Sequence, residues 1–211
     1  MNAQTPAAGD FSGWGDWLQQ QLAGAERQTL GDLSRQNAGR AAAVLVPVVP
    51  YPQGTRIILT ERAAHLRHHA GQISFPGGRT DPHDLNPAAT ALREAREEIG
   101  LSPENVTVVG ELGHYHTITG FTVTPVVGLV QPGMTLKPEP GEVATILELP
   151  WSTLLDPARY ELRWVERRGL RGKSLFVECG EITVWGATAG MLLMLARALG
   201  MPGQPRDVTT G

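Results

Sequence analysis

Three glutamates crowd one short stretch of this chain, Arg93-Glu94-Ala95-Arg96-Glu97-Glu98-Ile99-Gly100. In a helix each residue advances by about 100°. Glu94 and Glu98 then lie one turn apart, and Glu97 sits beside Glu94, so three acids share one side. Local stability gains little from this. Glu94 and Glu98 are like charges at the four-residue spacing, and Glu97 and Glu98 fall in the last turn, where the helix dipole disfavours negative charge. Arg93 and Glu97 can pair, which a plain solvated face would also explain. A hard divalent cation reverses the balance for the rest. Magnesium takes oxygen ligands, commonly one or two carboxylates completed by waters and phosphate oxygens. At a diphosphate such a cation offsets developing charge and activates water, while a further carboxylate takes a proton or orients that water. Glu94 and Glu98 are the expected ligands. Glu97 is a third acid, counted with both the catalytic and the metal-binding groups and held by Arg93.

The helix that carries these acids has clear limits. Asn86 and Pro87 form a good start, since Asn caps free amides and Pro fits the first helical position. Gly100 is a good stop. Within 87–99, Ala88, Leu92, Ala95 and Ile99 form an apolar stripe that must face the core, with Glu98 at its border and only partly exposed. Valine-rich strands are expected at 41–49 and 121–130, with others at 56–60, 106–112 and 143–149 and weaker ones at 162–165, 174–177 and 182–184. Further helices are expected at 14–22, burying Trp14, Trp17 and Leu18, from 152, and at 187–199. Residues 65–74 read as a polar loop, 131–141 as a proline-rich loop, and the residues from 201 as frayed. Strands mixed with substantial helices imply an α/β or α+β domain over 41–200. A polar tail and short helix (1–40) precede it, and a short tail (201–211) follows.

The 211 residues suffice for one core. With 41% hydrophobic and 18% charged residues the chain is globular, and a net charge of −3 gives no broad field for nucleic acid or an anionic membrane. No apolar run reaches bilayer length, no leader pattern opens the chain, and the single Cys179 excludes an internal disulfide. A cytoplasmic enzyme of a small-molecule substrate is the expectation, and a homodimer is a reasonable default.

Arg93 to Leu101 resembles the second half of the Nudix box, R-E-U-x-E-E-x-G-U with U aliphatic, and every fixed position matches. Gly78 resembles the glycine that opens the box. Asp84, six residues later, replaces a glutamate and stands one residue too far from Arg93. The segment before it resembles the signature of the coenzyme A pyrophosphatase branch, L-L-T-x-R-[SA]-x3-R-x3-G-x3-F-P-G-G. Ile58 takes the first Leu, and Thr60, Arg62, Ala63, Arg67, Gly71, Phe75, Pro76, Gly77 and Gly78 match. Physically this stretch offers Arg62, Arg67 and three histidines, a set able to clamp phosphate. The resemblance implies a Nudix α/β/α sandwich with a central mixed sheet and magnesium or manganese as cofactor. It also implies cleavage of coenzyme A and its derivatives to 3′,5′-ADP and 4′-phosphopantetheine. Arg62, Arg67, Gly71, Phe75, Gly77 and Gly78 become the expected substrate contacts. ADP-ribose or NADH is the rival substrate class, and a non-catalytic nucleotide sensor the rival function. Elsewhere, Trp185, Thr188 and the 191–194 face are expected to pack in the core, and Arg171 and Lys173 to be solvated. His114 and His116 are expected to share one side of a strand.

Overall fold

A computed structural model describes residues 5–32, 39–65, 71–167 and 170–209. In chain order the elements are α1 (Phe11–Gly24), β1 (Leu30–Gly31), β2 (Arg40–Tyr51), β3 (Gly54–Arg62), β4 (Ile73–Ser74), β5 (Gly77–Arg79) and α2 (Pro87–Ile99). There follow β6 (Val106–Glu111), β7 (Tyr115–His116), β8 (Phe121–Val130), β9 (Val143–Pro150) and α3 (Trp151–Leu154). The last are β10 (Tyr160–Arg167), β11 (Leu170–Cys179), β12 (Ile182–Trp185), α4 (Ala187–Ala198) and β13 (Arg206–Asp207).

The first sheet holds β1 to β9 and is mixed. β2 and β8 run parallel at its centre, and β3, β5, β6 and β9 are joined antiparallel to their neighbours. Strands covered on both faces read as continuous apolar runs, which is why β2 and β8 are so rich in valine. One face carries α2, whose Ala91, Ala95 and Ile99 pack on Ala43, Leu45 and Val126. The other face carries α1, α3 and α4 through Leu18, Val46, Val48, Val127 and Leu192. This is the expected α/β/α arrangement. A smaller sheet, β12-β11-β10-β13, lies on that second side. No helix among the described residues is long and apolar enough to cross a membrane.

Several elements run longer than the sequence suggested. The helix expected at 14–22 spans Phe11–Gly24, capped by Asp10, and its Trp14 and Trp17 pack edge-on against Trp151. The stretch read as a loop at 65–74 ends in β4, which pairs with the end of β3. The tail from 201, expected to fray, is pinned at β13, which lies parallel to β10. Two-residue strands carry too few residues for a periodic pattern, so only their tertiary partners reveal them.

One local feature opens the site. Along one edge β2 pairs with β5 at residues 42–44 and with β3 only from Val48. Pro47, which has no N–H to give, falls in that interval. β3 and β5 therefore take up successive stretches of that edge, and α2 packs over β2 and β5.

Candidate active site

The helix α2 forms as its ends dictate. The Asn86 side chain accepts from the Ala89 N–H at 2.8 Å, Pro87 opens the first turn, and Gly100 closes it at φ 66°. Its buried face is turned farther toward the acids than the apolar stripe implied. Thr90, Ala91 and Glu98 are buried, whereas Ala88 and Leu92 are only partly so. Glu98 is 3% exposed. Expected at the border, it lies inside the molecule.

Two glycines make room for the acids. A Cβ on Gly78 would come 2.4 Å from Oε2 of Glu94, and a Cβ on Gly77 would come 2.5 Å from the Ala43 carbonyl oxygen. The Gly77 N–H donates to Glu98 Oε2 at 3.1 Å. Arg62 enters from β3, where the register with β9 shifts between Glu61 and Arg62. Such a bulge re-aims a side chain, and Arg62 Nη1 stands 3.7 Å from Glu98 Oε1.

Arg93 is the hub of the outer half. Its Nε and Nη2 donate to the two oxygens of Asp84 at 3.1 and 2.9 Å. Its Nη1 donates to Glu94 at 2.8 Å and Glu97 at 3.2 Å, and Nη2 also reaches the Arg79 carbonyl. Asp84 in turn accepts from the Thr90 hydroxyl and the Asp81 N–H. The Arg93 fork, and then these lesser donors, hold the Asp84 carboxyl well below the usual carboxylate range, although burial opposes them.

The inner acids behave in the opposite way. Burial pushes Glu98 up to about 7, against the pull of the Gly77 N–H and Arg62, with Glu94 and Glu142 adding to the rise. Glu94 is also raised, first by burial, although Arg93 opposes it. Burial thus outweighs the cations that face these two acids.

These residues open onto a cleft of about 480 Å³ between the two sheets. Arg62, Phe75, Gly77, Gly78, Glu94 and Glu98 line it, so six of the expected site residues come together. Glu97 does not line it. Its side chain is 59% exposed and faces outward, where Arg93 holds it. Gly71 is outside the lining too; its N–H donates to the Arg62 carbonyl. Arg67 and the histidines His68 and His69 lie outside the described residues.

The model described as NUDIX domain matches residues 40–171, more than half of the chain. The chain belongs to the Nudix family. Its relatives include a protein named uncharacterized Nudix hydrolase NudL from Photorhabdus laumondii, 44% identical over 75% of this chain and 84% of that protein. The protein of the same name from Salmonella paratyphi B is 43% identical over 77% and 84%. Among solved structures, a MutT/nudix family protein from Enterococcus faecalis matches 82% of this chain and 68% of its own, with 14% identity and a TM-score of 0.50. That likeness speaks for the Nudix fold alone.

Within this Nudix hydrolase, Asp84 has a role that the sequence left open, and Glu142 and Asp32 escaped it altogether. Asp84 departs from the box in type and spacing, yet it reaches Arg93 with both oxygens. Residues 81–84 fold into a turn, and a turn absorbs one extra residue where a helix could not. Glu142 lines the cleft and raises Glu94 and Glu98 through its charge. Its only signal was an acid just before β9, after Pro140-Gly141. Asp32 accepts from the Tyr115 hydroxyl at 2.6 Å and from the Ile118 N–H at 3.0 Å, and so holds residues 117–119 at the far wall. Trp185, Thr188 and Met191, expected in the core, also line the cleft. His114 and His116 share a side as expected, bonded to Thr124 and Thr122, but face away from the cleft lining.

Proposed function

We propose that this Nudix hydrolase cleaves the diphosphate of coenzyme A and its derivatives to 3′,5′-ADP and 4′-phosphopantetheine. One observation carries the reading. The segment that resembles the coenzyme A branch places Arg62, Phe75, Gly77 and Gly78 in the same cleft as Glu94 and Glu98. The substrate signature and the acids of the box are thus parts of one surface.

The donor set suits magnesium or manganese. Glu94 and Glu98 are carboxylates driven upward first by burial and then by neighbouring acids, Glu142 among them, a condition that a hard cation relieves. Among the described residues no three His, Cys, Asp or Glu side chains form a cage. That fits a cation which keeps waters and phosphate oxygens in its shell. When bound, the metal supplies charge neutralisation at the diphosphate and an activated water. The protein's own groups do the rest. Arg62 reaches from Glu98 toward substrate oxygens as a charge-assisted donor. Arg93, locked by Asp84, holds Glu94. Glu142 faces the cleft and is the better placed third acid to accept a proton; Glu97 supports Arg93 from outside.

A panel of diphosphates with magnesium, read by product separation, tests the reading. Coenzyme A should yield 3′,5′-ADP and 4′-phosphopantetheine. Intact coenzyme A alongside cleaved ADP-ribose would overturn it. Glu142→Gln should lower kcat more than Glu97→Gln, and the reverse order would restore Glu97 to the cleft.

A further inference from the structure

The cleft has a wall that neither the acids nor the signature explains. Arg171, Gly172, Lys173 and Ser174 of β11 line it, together with Trp185 at the end of β12. Their cationic side chains are engaged elsewhere. The Arg171 guanidinium lies 4.2 Å over the Trp164 ring, and Lys173 Nζ bonds Asp207 at 2.8 Å. With both cationic side chains turned to other partners, Arg171 and Lys173 have their backbone left to offer the cleft.

The register fixes which groups those are. In an antiparallel strand the N–H and C=O of alternate residues face opposite edges. The Gly186 N–H donates to the Leu175 carbonyl, so Leu175 faces the β12 side. Counting back in twos, Lys173 and Arg171 face the same way, while Ser174 and Gly172 face β10 opposite Arg163 and Val165. β12 reaches only to Trp185, paired with Phe176. Past that point the edge of β11 is uncovered. Arg171 and Lys173 therefore present two N–H and two C=O groups in a row, without strand partners among the described residues. Open backbone beside an apolar wall of Val165, Trp185, Ala187 and Met191 favours a partner that brings its own amides and aliphatic carbons.

We propose that the backbone edge of β11 at Arg171 and Lys173 binds the amide-bearing arm of the substrate by strand addition. The inference rests on the coenzyme A reading, whose phosphopantetheine arm is an extended chain with two secondary amides. Strand addition supplies affinity through main-chain hydrogen bonds. The edge is continuous with the pocket of Glu94 and Glu98, so one ligand can engage both. Such an edge selects for an amide arm, which ADP-ribose lacks.

Two measurements test this. The first is amide NMR of the wild-type protein titrated with 4′-phosphopantetheine and, separately, AMP. The Arg171 and Lys173 amide protons should move downfield and exchange about three- to tenfold more slowly with 4′-phosphopantetheine, and stay in place with AMP. Absence of binding, or binding that shifts other cleft amides and leaves these two unmoved, overturns the proposal. So does the same shift on raising protein concentration alone, which would assign the edge to a second copy of the chain. The second is Lys173→Pro measured against Lys173→Ala: both lose the bond to Asp207, and only the proline variant lacks the N–H on the open edge. The proline variant's KM for coenzyme A should exceed that of the alanine variant about three- to tenfold with kcat retained. An equal KM in the two folded variants overturns the proposal, and if the proline variant fails to fold, the titration decides. Wild-type protein that leaves coenzyme A intact while its edge amides answer 4′-phosphopantetheine sinks the substrate reading and leaves the edge assigned.

Discussion

Asp84 holds Arg93 through two charge-assisted hydrogen bonds, with its own side chain 7% exposed. Asp84→Asn removes the charge from a paired, sheltered site and should destabilise the fold by about 2 kcal/mol. It should also lower kcat more than tenfold, because the same guanidinium holds Glu94. Denaturant midpoints and steady-state rates measure both, and an unchanged midpoint would remove Asp84 from the network. Glu98 makes the opposite kind of prediction. Its carboxyl titrates near 7 in the folded chain, against 4.5 for an ordinary glutamate. The folded state therefore holds the proton more tightly, so this contribution to stability is complete below pH 4.5 and is lost as pH rises through about 7. Without metal, wild type should lose about 3 kcal/mol over that window and Glu98→Gln should not. Magnesium affinity should rise over the same interval, since the ligand must be ionised. A flat profile in wild type would mean Glu98 is ionised throughout.

At the scale of elements, α2 was the most legible part of the sequence. Its cap, its first proline and its closing glycine are local devices, and the observed limits, Pro87–Ile99, are those expected. Its rotation was less legible, because the depth of Glu98 is set by β5, not by the helix pattern. Gly77 and Gly78 are where the two elements meet, and they fail differently when substituted. A Cβ at Gly78 meets the carboxylate of Glu94, the movable end of a side chain. Gly78→Ala should keep a melting temperature near that of wild type and lose about a hundredfold in kcat as Glu94 is displaced. A Cβ at Gly77 meets the backbone of Ala43 and Val44 in β2, which has nowhere to go. Gly77→Ala should lower the melting temperature as well as the rate. Equal thermal losses in the two variants would refute this division.

At the scale of the whole molecule, the cleft is shared between two sheets that the sequence did not reveal as separate. The valine runs of β2 and β8 marked two strands, but their parallel pairing at the centre of the sheet is seen only in the structure. The weaker strands at 160–185 gave no sign that they form a second sheet or that β13 closes its edge, since pairing partners far apart in the chain leave no periodic trace. Glu142, Asp32 and the open edge of β11 escaped for the same reason: each joins the cleft from an element remote in sequence. The two walls should accordingly respond apart. β13 is held to β10 by backbone pairing and the Arg206–Glu161 pair, and to β11 by the Lys173–Asp207 pair. These ion pairs are exposed and individually weak, so the strand pairing dominates. Deleting residues 204–211 should speed amide exchange along β10 and β11 by tenfold or more and leave α2 protected as in the full chain, because α2 packs on the first sheet alone. The acid-bearing wall would then remain formed while the opposite wall loosened, and the rate loss should appear in KM more than in kcat. Exchange that quickened equally in α2 would show that the two walls unfold as one unit.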